Sequence, residues 1–113
     1  MDEKSAVAHL MATIEERKRN PPTRSYTSQL LQGGVPAIGA KVLEEAREVV
    51  EAAEIGDGVT RRSAMVHEAA DLLYHLLVLL AFREITWAQV ETEIARRFGL
   101  SGLDEKAARP PKE

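Results

Sequence analysis

The sequence predicts an all-α fold, on three observations. Apolar residues recur at helical spacing through most of residues 4–98, no stretch shows the strict alternation of a half-buried strand, and Pro and Gly punctuate the helical runs. At 113 residues the chain is one domain by length, and 44% hydrophobic with 29% charged residues is the balance of a soluble globular protein. Such a chain buries a modest core, and small helical domains often complete theirs against a second copy.

The elements follow in order. Residues 4–19 set Val7, Leu10, Met11 and Ile14 at helical spacing, run into the polar stretch Glu15 to Asn20, and are stopped by Pro21-Pro22. Ser25 to Gln32 reads as a short helix closed by Gly33-Gly34. Pro36, tolerated in a first turn, opens a helix to about Ile55 that ends at Gly56-Asp57-Gly58. A second long helix spans about Thr60 to Arg83, and Thr86 with Gln89 makes a capping box for a last helix to about Phe98. A single domain over residues 1–98 is therefore expected, with a disordered tail over 99–113 that contains Pro110-Pro111. No internal repeat is visible.

Composition narrows function. A net charge of −3 speaks against a nucleic-acid binder, which carries a strongly basic face. The absence of cysteine excludes disulfides and thiolate metal sites and fits a reducing compartment. The N-terminus, Met1-Asp2-Glu3-Lys4, is acidic where a secretory signal is basic. The most apolar stretch, Ala69 to Phe82, contains Asp71 and His75 and falls short of the roughly 20 residues of a membrane span. A cytoplasmic protein with no membrane partner is expected.

The acids are of two kinds. On a wheel of about 100° per residue, Ile38, Val42, Ala46, Val49 and Ala53 form one narrow stripe. Glu45 and Glu48 flank that stripe with Lys41 between them, while Glu44, Glu51 and Glu54 lie further round toward water. By themselves these acids read as a solvated helix face paired to Lys41 and Arg47. The next helix shifts the reading. From Ala69 to Ala81 it is apolar nearly all round, the mark of a central buried helix, yet Glu68, Asp71 and His75 share one face. An ionised Asp71 buried there without a partner would cost several kcal/mol, and no Lys or Arg lies within a turn of it. Two acids three residues apart on each of two antiparallel helices supply four oxygen-ligand side chains to one groove, Glu45, Glu48, Glu68 and Asp71. Mg²⁺ suits such a groove, since it takes a few carboxylates together with waters and phosphate oxygens. The arrangement is similar to the carboxylate clusters of helix-bundle metal proteins, but it lacks their Glu-x-x-His pairs, which disfavours di-iron chemistry.

Glu44-Glu45-Ala46-Arg47-Glu48, the 19 residues 49–67, and Glu68-Ala69-Ala70-Asp71 together resemble the motif of the MazG-like all-α nucleotide pyrophosphatases. Three further blocks resemble the phosphoribosyl-ATP pyrophosphatase family of histidine biosynthesis: Ile14 to Lys18, Ser25-Tyr26-Thr27 followed by Leu30-Leu31 and Gly34, and Ala70 to Leu80. The resemblance covers about residues 10–98. Leu43 and Glu84 stand where that family often has Gly.

The resemblance implies a bundle of about four to five helices completed as a homodimer, and hydrolysis of phosphoribosyl-ATP to phosphoribosyl-AMP and pyrophosphate. It implies Mg²⁺ held by Glu45, Glu48, Glu68 and Asp71, with Glu44 as an outer group or base. Arg17, Lys18, Ser25, Tyr26, Thr27 and Lys41 are the expected substrate contacts. Each has a plainer reading beside it: Lys41 as a partner of Glu45, Arg17 and Lys18 as solvated charges, and Ser25-Tyr26-Thr27 as a helix cap with a packing tyrosine. His75 fits a hydrogen-bonded core histidine better than a ligand, and Tyr74 and Trp87 read as packing. Two other functions share these features, a house-cleaning pyrophosphatase of ordinary or damaged (d)NTPs and a non-catalytic helical dimerisation module. The Ser25-Tyr26-Thr27 block argues against the former.

Overall fold

A computed structural model describes residues 5–54 and 58–99. Its described part holds four helices, α1 (Ala6–Arg19), α2 (Tyr26–Glu54), α3 (Val59–Phe82) and α4 (Trp87–Phe98), and no strand. Ile55 of the expected helix end, Gly56 and Asp57 of the expected turn, and the expected tail beyond Gly99 lie outside the described residues.

The ends of the helices are set by local chemistry. Ser5 caps α1, its hydroxyl accepting from the Ala8 amide at 3.1 Å. The Ser25 hydroxyl does the same for α2, accepting from the Ser28 amide at 3.1 Å. The Thr86–Gln89 capping box forms as the sequence predicts, and Gly99 in the left-handed conformation closes α4.

α2 is two helical limbs joined at one residue. Gly34 (φ 69°, ψ −161°) leaves the helical region while the chain on either side stays in it, and Pro36 starts the second limb. The break expected at Gly33-Gly34 is there, narrower than the sequence suggests. The Phe82 ring of α3 backs onto Gly34, so that an added Cβ would lie 3.5 Å from it.

α2 and α3 make the main interface, α1 lies across α3 and more lightly on α2, and α4 touches α1. Tyr26 meets His75 and Glu45 meets Glu68, so the two long helices run antiparallel. Met11 and Ile14 of α1, Leu30 and Ile38 of α2, and Leu77, Val78 and Ala81 of α3 form the core. Burying a side chain of this size stabilises by about 1.5–3 kcal/mol.

The burial expected all round α3 is found only in part. His75, Leu77, Val78 and Ala81 are buried, but Leu76 is 36% exposed, because a single chain has too few helices to cover every face. On α2, Leu43 and Val50, one heptad apart and thus on one face, are 70% and 56% exposed. By length and composition α3 would suffice to cross a membrane, but it packs along α2 and carries His67, Glu68 and Asp71.

Glu84 sits at φ 62° just beyond α3, where a residue with a Cβ is strained. Its compensation is one exposed ion pair with Lys18 at 3.6 Å, a weak one. Glu84→Gly is therefore expected to stabilise the fold by about 1 kcal/mol, raising the melting midpoint by about 4–8 °C in a domain of this size. A lower midpoint would show that the Lys18 pair outweighs the backbone strain.

Candidate functional site

The second limb of α2 places Lys41, Glu44, Glu45 and Glu48 on consecutive turns, and α3 brings Glu68 and Asp71 against them. Glu45 is buried, and Glu44, Glu48 and Glu68 are half-buried. One carboxylate oxygen from each of Glu45, Glu48 and Glu68 lies within 4.8 Å of the other two. Glu45 Oε1 and Glu68 Oε1 are buried without a hydrogen-bond partner. Among the described residues no Lys or Arg forms an ion pair with any of the three.

Leaving carboxylate oxygens bare and crowded costs stability, and the cost shows in the chemistry of Glu68. Burial first, and then the Glu48 and Glu45 carboxylates beside it, hold its carboxyl above the usual carboxylate range. Such a cluster, with oxygen donors only and no cationic side chain inside it, fits a hard divalent cation. Glu45, Glu48 and Glu68 are the residues able to hold one, the two bare oxygens foremost.

Asp71 departs from the sequence-based argument. Its side chain is 41% exposed rather than buried, and its carboxylate faces His67 Nε2 at 3.3 Å, one turn back on α3. The burial cost inferred for it therefore does not arise, and it stands outside the group of three. The partner is a histidine at i, i+4 spacing, not the Lys or Arg that a buried Asp would need. The structure thus brings three of the four expected ligands together.

The remaining residues separate into groups. Lys41 pairs at 3.2 Å with Glu44 rather than with Glu45, and that hydrogen bond raises the lysine's pKa. Arg47 pairs with Glu51 at 3.8 Å, so the solvated-face reading holds for those outer acids. In the Ser25-Tyr26-Thr27 block the first hydroxyl is a cap and that of Thr27 hydrogen-bonds the Tyr74 hydroxyl. The Tyr26 ring is 50% exposed, with its hydroxyl 2.9 Å from His75 Nε2. Tyr74, expected only to pack, also spends its hydroxyl, and Trp87 donates to Glu91 at 2.9 Å. His75 is a buried, hydrogen-bonded histidine, as the plainer reading had it.

Arg17 and Lys18 line a different place, a cavity of about 340 Å³ with Ser28, Gln32 and Phe82. The Lys18 ammonium donates to the Ala81 carbonyl at 2.7 Å, capping the end of α3. Along α3, Phe82 is about 20 Å from Glu68 at the helical rise per residue. Nothing in the sequence marked Ser28, whose buried hydroxyl has no partner.

A helical pair that gathers three carboxylates around bare oxygens is an all-α acidic centre of the kind that grips a cation and, through it, phosphate oxygens. Comparison with known proteins supplies the family. The family model described as phosphoribosyl-ATP pyrophosphohydrolase matches residues 7–98, and the chain belongs to that family. A phosphoribosyl-ATP pyrophosphatase of Rhodopirellula baltica is 49% identical over 104 residues, 92% of this chain and 86% of that protein. Those of Novosphingobium aromaticivorans and Cereibacter sphaeroides are 45% and 46% identical, covering 96% and 93% of this chain and 98% of each relative.

A carboxyl whose pKa is raised on folding binds its proton more tightly in the native state. Its stabilising share is complete below the ordinary glutamate value of about 4.3 and is lost as pH rises through the raised one. In divalent-free buffer, Glu68→Gln is therefore expected to match the parent protein in urea unfolding at about pH 4 and to exceed it at about pH 7. A variant equally stable, or less stable, at neutral pH would contradict the crowding of these three carboxylates.

Proposed function

We propose that this chain hydrolyses phosphoribosyl-ATP to phosphoribosyl-AMP and pyrophosphate, a step of histidine biosynthesis, using Mg²⁺ held by Glu45, Glu48 and Glu68. The observation that carries the metal centre is the pair of buried, unpartnered oxygens of Glu45 and Glu68 inside a three-carboxylate cluster. Asp71, on the same face of α3 and paired with His67, would serve as a fourth ligand. When bound, the ion neutralises charge on the polyphosphate and on the leaving pyrophosphate. Three carboxylates without it would repel that substrate, so the protein's own part is to concentrate negative charge where a cation, and then a phosphate, must sit.

Lys41 lies beside the cluster and exchanges Glu44 for a phosphate oxygen; freed, Glu44 takes up a proton from the attacking water or holds that water in place. The exposed face of Tyr26 gives the nucleoside a surface to stack on, with Ser25 and Thr27 fixing the turn that presents it. Arg17, from the cavity beside Phe82, meets an outlying phosphate of the substrate, and Lys18 holds the cavity wall.

The same proposal includes a homodimer, supported by Leu43 and Val50 on α2 and Val66 on α3, apolar and exposed in one chain. It includes a cytoplasmic setting, since a free, multiply charged nucleotide does not cross a bilayer unaided.

The test is to incubate the purified protein with phosphoribosyl-ATP, and separately with common NTPs, with and without Mg²⁺. Pyrophosphate is expected from the first substrate alone and only with the ion. Glu45→Gln is expected to reduce the rate by at least about 100-fold while the helical circular dichroism is unchanged. Comparable release from several NTPs would replace this substrate with the house-cleaning set, and full activity of Glu45→Gln would remove the metal site.

A further inference from the structure

His75 is 5% exposed, a polar ring sunk between α2 and α3. Both of its nitrogens are engaged, as burial demands. Nδ1 lies 2.9 Å from the Asp71 carbonyl oxygen, which can only accept, so Nδ1 carries a hydrogen. Nε2 lies 2.9 Å from the Tyr26 hydroxyl and, in the neutral ring, accepts its O–H. The Tyr74 ring meets the imidazole edge-on at 4.9 Å and that of Tyr26 at 5.9 Å. With both nitrogens engaged by protein partners, the ring offers no free nitrogen to a metal here.

What the ring does touch is the acidic centre. Its Nδ1 side lies 3.9 Å from Glu45 Oε2, the side chains being 6% and 8% exposed, while the other oxygen of Glu45, Oε1, is the bare one, on a carboxylate that clusters with Glu48 and Glu68. His75 also bridges a break. Tyr26 belongs to the limb of α2 before Gly34 and Glu45 to the limb after it, and the helix interrupted at Gly34 does not by itself fix one limb against the other. The imidazole meets both limbs and is tied to the α3 backbone.

We propose that the Tyr26–His75 pair is a positioning device that fixes the Glu45 carboxylate against Glu48 and Glu68 and so sets the affinity of the centre for its divalent cation. This rests on the metal reading above. Groups that orient a ligating carboxylate from behind commonly carry about 10–100-fold in metal affinity or activity. A histidine that merely fills space would carry none, provided its volume is replaced.

The test is calorimetric titration of the substrate-free protein with Mg²⁺, for the parent chain, His75→Leu, His75→Asn and Tyr26→Phe, each checked for helical circular dichroism. His75→Leu keeps the volume and removes both hydrogen bonds, and its binding is expected to weaken about 10-fold or more. His75→Asn can keep a donor near the Nδ1 position and is expected to recover part of that loss. Tyr26→Phe removes one hydroxyl at a half-exposed ring, so it serves if His75→Leu fails to fold, and about threefold weakening is expected of it. A parent protein that binds Mg²⁺ alongside folded variants of equal affinity would overturn the positioning role alone. A parent protein that binds no Mg²⁺ would overturn the metal reading, and this inference with it.

Discussion

Like charge held at close quarters across the α2–α3 interface governs this structure. Glu45 and Glu48 from one helix and Glu68 from the other put an oxygen each within 4.8 Å of its neighbours, with no lysine or arginine among the described residues ion-paired to any of them. Such an arrangement works against folding and survives because the apolar contacts of Ile38, Leu77 and Val78 hold the helices together at the same interface. Strain of this sort persists where it serves a ligand. The apolar packing sets the spacing, the spacing crowds the carboxylates, and the crowding leaves a centre whose charge a divalent cation would relieve.

The supporting parts fall into place around that centre. Gly34 lets α2 change direction, so that its first limb carries Tyr26 and Leu30 and its second carries Glu45 and Glu48. Phe82 behind the glycine and His75 beside Glu45 connect both limbs to α3. Lys18 and the Thr86–Gln89 box finish the ends of α3 and α4 without entering the centre. Fold and site thus use different residues on shared helices, which lets a chain of 113 residues carry both.

Much of this could be read from the sequence, because helices announce themselves locally. Capping at Thr86, the break near Gly34 and the stop before Pro21 rest on interactions within a few residues, and they appear nearly where expected. The convergence of Glu45, Glu48 and Glu68 could be read too, since the wheel put Glu45 and Glu48 beside the core stripe of one helix and Glu68 on one face with His75 of the next. Less visible was whatever depends on how two helices rotate against each other. Asp71 shares a helix face with Glu68, yet a modest rotation leaves it at the rim with His67 rather than inside. The same limit applies to Lys41, whose partner proved to be Glu44 and not Glu45. The Arg17 and Ser28 cavity was out of reach because three helices build it from residues far apart in the chain. The family match adds the substrate, which geometry alone does not specify.

Anomalous diffraction from crystals soaked in Mn²⁺, an octahedral oxygen-seeking stand-in for Mg²⁺, decides whether Glu45, Glu48 and Glu68 hold one cation together. An anomalous peak is expected between the carboxylates of those three residues, at about 2.0–2.3 Å from oxygens that include Glu45 Oε1 and Glu68 Oε1. A peak at the surface acids Glu51 and Glu54, or none between α2 and α3 at saturating ion, would contradict that shared centre.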